Sequence, residues 1–271
     1  MKRIFSLAII TFKEGIRNRA LFGIALLALF LFGLNIAVAG FFMRDIGKVT
    51  VDMNLSALSL TGLLLIFFIG INLMAKDIDR KTIHLVLSKP ITRGQYIWGK
   101  FFGIQLFALV SMMMLVLFSC ATVFLLFRIY PGYFIGFHWS IFLIACFFVF
   151  IKISVLTGIV VFFSSITSSS FITLIFSISS YVVGVTIEEV VFYLNSAFAA
   201  KEILVPGALK YFIAVVSYLL PNLSAFDFSL EAAHGLAVET SRFVLSLGYA
   251  GTYVTLLLLL GSVIFARREF N

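Results

Sequence analysis

Lys152 is the one basic residue near the middle of a long apolar run, 139–163. If that run crosses a membrane, an ammonium at its centre costs about 2.5–3.5 kcal/mol on insertion scales, so the lysine needs a partner or water. Glu188 and Glu189, near the end of another apolar run, are the acids to consider. At about 1.5 Å per residue they fall roughly 10 Å above the lysine, marginal even for its long side chain. These residues read either as part of a substrate path or as an intramembrane pairing. The two carboxylates make a poor acid/base pair, because sequence neighbours point apart on a helix.

Metal chemistry has little to stand on. Met112, Met113 and Met114 offer thioethers, which suit Cu(I), but three consecutive residues diverge around a helix and cannot share one ion. His84, His138 and His234 show no ligand spacing, and Cys120 and Cys146, the only cysteines, both lie inside apolar runs as small packing residues. No catalytic, cofactor or metal site is expected on this chain.

The chain that carries these residues has 271 positions, 62% hydrophobic and 12% charged, with 33 phenylalanines and a mean hydropathy of +1.15. Soluble domains carry roughly 45–50% apolar and 25% charged residues. An all-α polytopic membrane protein follows, because helices satisfy their own backbone groups where water is absent. Apolar stretches fit six spans at about 20–42, 57–75, 101–127, 139–163, 171–193 and 243–266. Ala37-Val38-Ala39 looks like a signal cleavage site, but the preceding apolar run exceeds the roughly 7–15 residues of a signal core, so it reads as a retained span.

The formal net charge of +8 does not point to nucleic acid here, because the basic residues flank the spans. Lys2, Arg3, Lys13, Arg17 and Arg19 precede the first span. Lys76, Arg80, Lys81, Lys89, Arg93 and Lys100 lie between the second and third, and Arg267 and Arg268 follow the last. Six spans put all three groups on one side, which the positive-inside rule makes the cytoplasm, with both termini there.

Within 1–19, Phe5, Ile9, Phe12 and Ile16 recur at helical spacing with bases largely opposite, the pattern of an interfacial elbow helix. The longest outer connection, 194–242, contains "GALKYFIAVVSYLLP", too short to span and read as interfacial, re-entrant or packed on the bundle. No linker or repeat divides the chain, so 1–271 reads as one membrane domain.

Between spans two and three, "DIDRKTIHLVLSKP" reads as a short amphipathic helix over 76–92. Asp77 and Asp79 sit near its start, where the helix dipole favours acids, and Pro90 ends it. Thr92 and Gln95 form a capping box for the next helix, which runs from Arg93 through Trp98 into span three. The module is therefore a charged helix held at an elbow against a transmembrane rod.

These residues resemble the permease subunits of ABC transporters of the ABC-2 exporter class. The resemblance rests on "KDIDRKTIHLVLSKPITRGQYIWGK", through Asp77, Asp79, Thr82, Leu85, Leu87, Ser88, Pro90, Arg93, Tyr96, Gly99 and Lys100. "FKEGIRNRALFGI", "SSITSSS", "YLLPNLSAF" and the terminal "ARREF" extend it over nearly the whole chain. Within the class the chain is similar to the permeases like that of the copper-site maturation system of nitrous oxide reductase. Lys81 departs from the pattern, since many relatives carry glycine there.

The resemblance implies a coupling helix that docks on a separate ATP-binding cassette subunit through Asp77, Asp79, Arg80, Thr82, Leu85, Leu87, Ser88, Pro90 and Arg93. A smaller contact could form at Ser164, Ser165, Thr167, Ser168, Ser169 and Ser170. The chain lacks a Gly-rich run followed by Lys-Ser or Lys-Thr, so ATP and Mg would belong to the partner subunit and this chain would be no enzyme. The resemblance further implies two permease copies with two ATP-binding subunits in a bacterial cytoplasmic (inner) membrane, with membrane lipids as neighbours and an extracytoplasmic partner left open. The alternatives are an ATP-independent channel and a membrane enzyme acting on a lipid-linked substrate.

Overall fold

The chain was analysed as a computed structural model that describes residues 2–41, 45–79, 91–195 and 207–268. Among these the regular structure is helical throughout. Helix α1 spans Lys2–Ile16, α2 Ala20–Ala39, α3 Ile46–Leu65 and α4 Ile71–Asp79; α5 spans Arg93–Ile129, α6 Trp139–Ile166 and α7 Ser170–Asn195. Helix α8 spans Gly207–Leu219, α9 Ser229–His234 and α10 Thr240–Arg267. Six helical segments are long and apolar enough to cross a membrane: α2, the joined α3 and α4, α5, α6, α7 and α10. The protein is a multi-pass, all-α membrane protein.

The second span differs from its hydropathy reading. It is one rod from Ile46 to Asp79, joined through a π-helical turn at Ile66–Gly70. Its first turns carry Lys48, Asp52 and Asn54, polar residues that hide the helix start from a hydropathy window. Asn54 is fully buried, donates to the Thr50 carbonyl at 2.8 Å and accepts from Ser119 on α5 at 3.1 Å. Asn35 on α2 donates to the same carbonyl at 3.1 Å. Internal hydrogen bonds of this kind let polar groups sit in a bundle at membrane depth.

The rod and α6 are the most enclosed spans; α2, α5, α7 and α10 keep most of their surface outward. The exposed set is lipid-like, with Phe22, Leu26, Leu117, Phe171 and Leu245 among it. Helix α1 lies across the first turns of α5. Leu7, Ala8, Thr11 and Gly15 face the bundle, while Phe5 and Ile16 remain exposed beside the basic residues. The close seat is made by Gly103, where a Cβ would stand 2.7 Å from the Ala8 carbonyl oxygen and 2.5 Å from Thr11 Cβ. Small residues at such crossings allow the backbones to approach.

At the other end, α8 is followed by a turn at residues 220–223 and then by α9, and the two arms bend by 49°. The turn sinks onto the bundle: Leu223 N–H donates to Gly184 O at 2.8 Å, and Ser224 Oγ to Val185 O at 2.7 Å. Tyr249 and Tyr253 on α10 hold it from the other side, through Asn222 N–H at 2.9 Å and Leu219 O at 3.2 Å. Helix α9 ends at Gly235, φ +64°, packed against Gly136, φ +80°, so that neither position accommodates a side chain without strain or clash.

Candidate coupling interface and linked cavities

The bonds flanking residues 80–90 join five parts of the fold. Thr92 caps α5 as its sequence predicts: Gln95 N–H donates to Thr92 Oγ1 at 3.3 Å and Thr92 N–H to Gln95 Oε1 at 3.2 Å. Further along α5, Lys100 is buried and its ammonium donates to the Leu73 carbonyl at 2.6 Å and to Asp77 Oδ2 at 2.6 Å, with Glu14 of α1 at 3.8 Å. Tyr96 hydroxyl donates to the same Asp77 oxygen at 3.2 Å, and its ring stacks on Phe265 of α10 at 5.6 Å.

Asp77 therefore works differently from its sequence reading. The backbone of both Asp77 and Asp79 falls in the last described turn of α4, not at the start of a separate helix, so the dipole gives Asp77 no support. Lys100 and Tyr96 stabilise Asp77 instead. Arg93 donates to the carbonyls of Phe265 and Ala266, both at 3.2 Å, and to that of Arg268. Arg268 in turn donates to Ser165 O at 3.0 Å, Thr167 O at 2.8 Å and Ser168 Oγ at 2.6 Å.

Helices α1, α4, α5 and α10 and the α6–α7 turn are thus bonded together where the charged segment leaves and re-enters the bundle. Of the residues expected to meet an ATP-binding subunit, Asp77 and Arg93 face this cluster. Arg80, Thr82, Leu85, Leu87, Ser88 and Pro90 lie outside the described residues. In the serine-rich turn Ser164 and Ser165 are wholly buried, which removes them from any docking surface, and the Ser168 hydroxyl is taken by Arg268. Glu14 and Arg268 were not singled out from sequence, because no local pattern says which terminal charges face inward.

The second feature lies in the opposite half. An open cavity of about 650 Å³ is lined by Asp45, Lys48 and Asp52 of α3 with its preceding turn, by Asp227, by Glu231 and His234 of α9, and by Arg242 of α10. A deeper cavity of about 250 Å³ shares Asp227 and Ser229 with it and reaches Ser56 and Ser59 of α3, Tyr181 of α7 and Lys152. Lys152 does not meet the glutamates. Its ammonium lies 5.8 Å from the centre of the Tyr181 ring, while Glu188 accepts from Asn222 Nδ2 at 3.0 Å and Glu189 is exposed. The turn that follows α8 comes between them, an insertion that vertical spacing along two helices does not reveal.

Met112 is buried, and Met113 and Met114 point outward, as their succession on one helix requires. Among the described residues no group of three or more His, Cys, Asp or Glu could hold a metal ion.

The sequence pattern of the ABC-2 family transporter proteins matches residues 5–270. The chain belongs to the ABC-2 transporter family. As an ABC-2 protein it is the membrane-embedded permease component of an ABC transporter, and an ATP-binding partner is implied. The match identifies the family and no subgroup within it. No protein of curated function matches the chain.

Proposed function

We propose that this permease converts ATP-driven closure of a separate ATP-binding subunit into rearrangement of its spans, and so exports or extrudes a substrate. Segment 76–92 is the docking element, the basic end faces the cytoplasm of a bacterial cell, and two copies work with two ATP-binding subunits. The observation that carries this reading is the bonding of Lys100 to Asp77, with Tyr96 on the same carboxylate. It joins the two arms that flank residues 80–90 and couples them to α1, through Glu14, and to α10, through Phe265. A force applied at the segment would reach four helices at once. An ATP-independent channel has no use for such a cluster, and a membrane enzyme needs catalytic groups gathered at one depth.

The test is co-expression with the neighbouring ATP-binding protein, purification through a tag on one of the two, and comparison of ATP turnover for the wild type and a Leu85→Asp/Leu87→Asp variant. Co-purification that the variant loses supports docking through this segment. Failure to associate, or a variant that binds and hydrolyses as the wild type does, sends the question back to the channel and enzyme readings.

A further inference from the structure

The two cavities carry a distinctive distribution of charge. In the outer one, Lys48 pairs with Asp45 at 3.3 Å and Arg242 pairs with Glu231. Arg242 also donates to the Asp227 carbonyl at 2.8 Å, and His234 Nδ1 lies 3.1 Å from the Leu230 carbonyl. These groups are satisfied within the protein.

Three charges lack an ion-pair partner. Among the described residues, no base lies within ion-pair distance of the Asp52 or Asp227 carboxylate; both residues are exposed and open to water, and Asp227 accepts only the Ser229 N–H, at 2.9 Å. Lys152, 9% exposed, has no acceptor among those residues and points into the deep cavity against the Tyr181 ring. A ring face offsets part of the cost of a buried ammonium, but it leaves the N–H donors unused. The order along the cleft is acid, acid, base: Asp52 outermost, Asp227 where the two cavities meet, Lys152 at the base. The outer volume falls within the roughly 300–1,000 Å³ usual for small-molecule sites, and the inner lies just below it.

We propose that this cleft binds a zwitterion, its acidic group on Lys152 and its ammonium at Asp227 and Asp52. Ser56, Ser59 and Ser229 supply hydroxyls between these charges. An anion alone would satisfy the lysine but meet two unpaired carboxylates on its way in, and a cation alone would leave the lysine unpaired. This deepens the transport reading and rests on it, by naming the class of molecule carried. The chemistry belongs equally to a free amino phosphate or amino acid and to a phospholipid headgroup with an amine and a phosphate.

The test is a brief acetylation of the full chain in lipid nanodiscs with acetic anhydride, reading Lys152 by peptide mass spectrometry with exposed Lys48 as reference. Phosphoethanolamine is expected to slow acetylation of Lys152 about fivefold more than inorganic phosphate or ethanolamine does. Asp227→Asn should remove that advantage without changing protection by phosphate. Protection by the soluble compound in phosphatidylglycerol discs assigns a free solute; protection already present in phosphatidylethanolamine discs assigns a lipid headgroup. The proposal is overturned if phosphate protects as well as phosphoethanolamine, if nothing protects, or if Lys152 does not react in the absence of a competitor. The wild-type series alone separates these outcomes if the variant fails to fold. The readout needs neither ATP nor a partner, so it fails independently of the docking experiment.

Discussion

Asp77 and Lys100 meet at 2.6 Å from opposite sides of residues 80–90, with the lysine side chain 4% and the aspartate 20% exposed. The pair closes the base of the proposed docking segment, and removing one member leaves the other charge unpaired in a poorly hydrated place.

Lys100→Met should therefore cost about 3 kcal/mol of stability, less than a fully buried pair would because Asp77 retains some water. The Asp77→Leu/Lys100→Met double variant should recover to within about 1 kcal/mol of wild type, since no orphan charge remains. Thermal unfolding in detergent reads the difference. ATP turnover of the reconstituted complex should fall in both variants, because the arms are no longer joined by a directional bond. Recovered turnover in the double variant would count against coupling through this pair.

Arg268 makes a fork to Ser165, Thr167 and Ser168, and Arg93 holds the same C-terminal backbone. Burial moves the Arg268 guanidinium below its ordinary range, yet it stays charged near neutral pH. Arg268→Lys keeps the charge but not the planar fork, and should lose about 2 kcal/mol. At about 2–4 °C per kcal/mol the melting point should drop by several degrees. A lysine variant as stable as wild type would show that charge alone suffices.

Gly103 seats α1 on α5. Gly103→Val should drive α1 away, because the obstacle includes the Ala8 backbone carbonyl, which cannot rotate aside. Hydrogen exchange should report at least about tenfold faster exchange for the amides of Leu7 to Gly15, a loss of about 1.4 kcal/mol of local protection. Gly33→Ala, which meets nothing within 4 Å, is the control and should be neutral or slightly stabilising, since alanine favours helix by roughly 0.5–1 kcal/mol.

Gly235 ends α9 beside the outer cavity. Gly235→Ala brings a Cβ onto the Gly136 carbonyl and adds about 1–2 kcal/mol of left-handed strain. The melting point should fall, and Lys152 should acetylate faster as α9 lifts from the cleft. An unchanged acetylation rate would mean that α9 does not control entry.

Much of this was written locally in the sequence. The six spans follow from runs of apolar residues, because a membrane admits few structures and each segment must satisfy its own backbone groups. The basic excess at one end, the Thr92–Gln95 cap and the unbroken passage from Arg93 into α5 are likewise set by neighbours within a turn or two. The packing of α8 with its following turn was legible only as a run too short to span.

What the tertiary structure decided is which faces meet. The start of the second span at Ile46, eleven positions before the apolar run at 57, depends on Asn54 finding Ser119 on another helix. Asp77 became the partner of Lys100 because α4 and α5 cross there, and Lys152 shares its cavity with Tyr181 and Asp227 because the segment from Phe226 to Ser229 folds back against α3 and α6. Helical periodicity fixes direction around an axis, whereas tilt, rotation and the insertion of a distant turn are set by packing between helices, and these placed the charges of the candidate cleft.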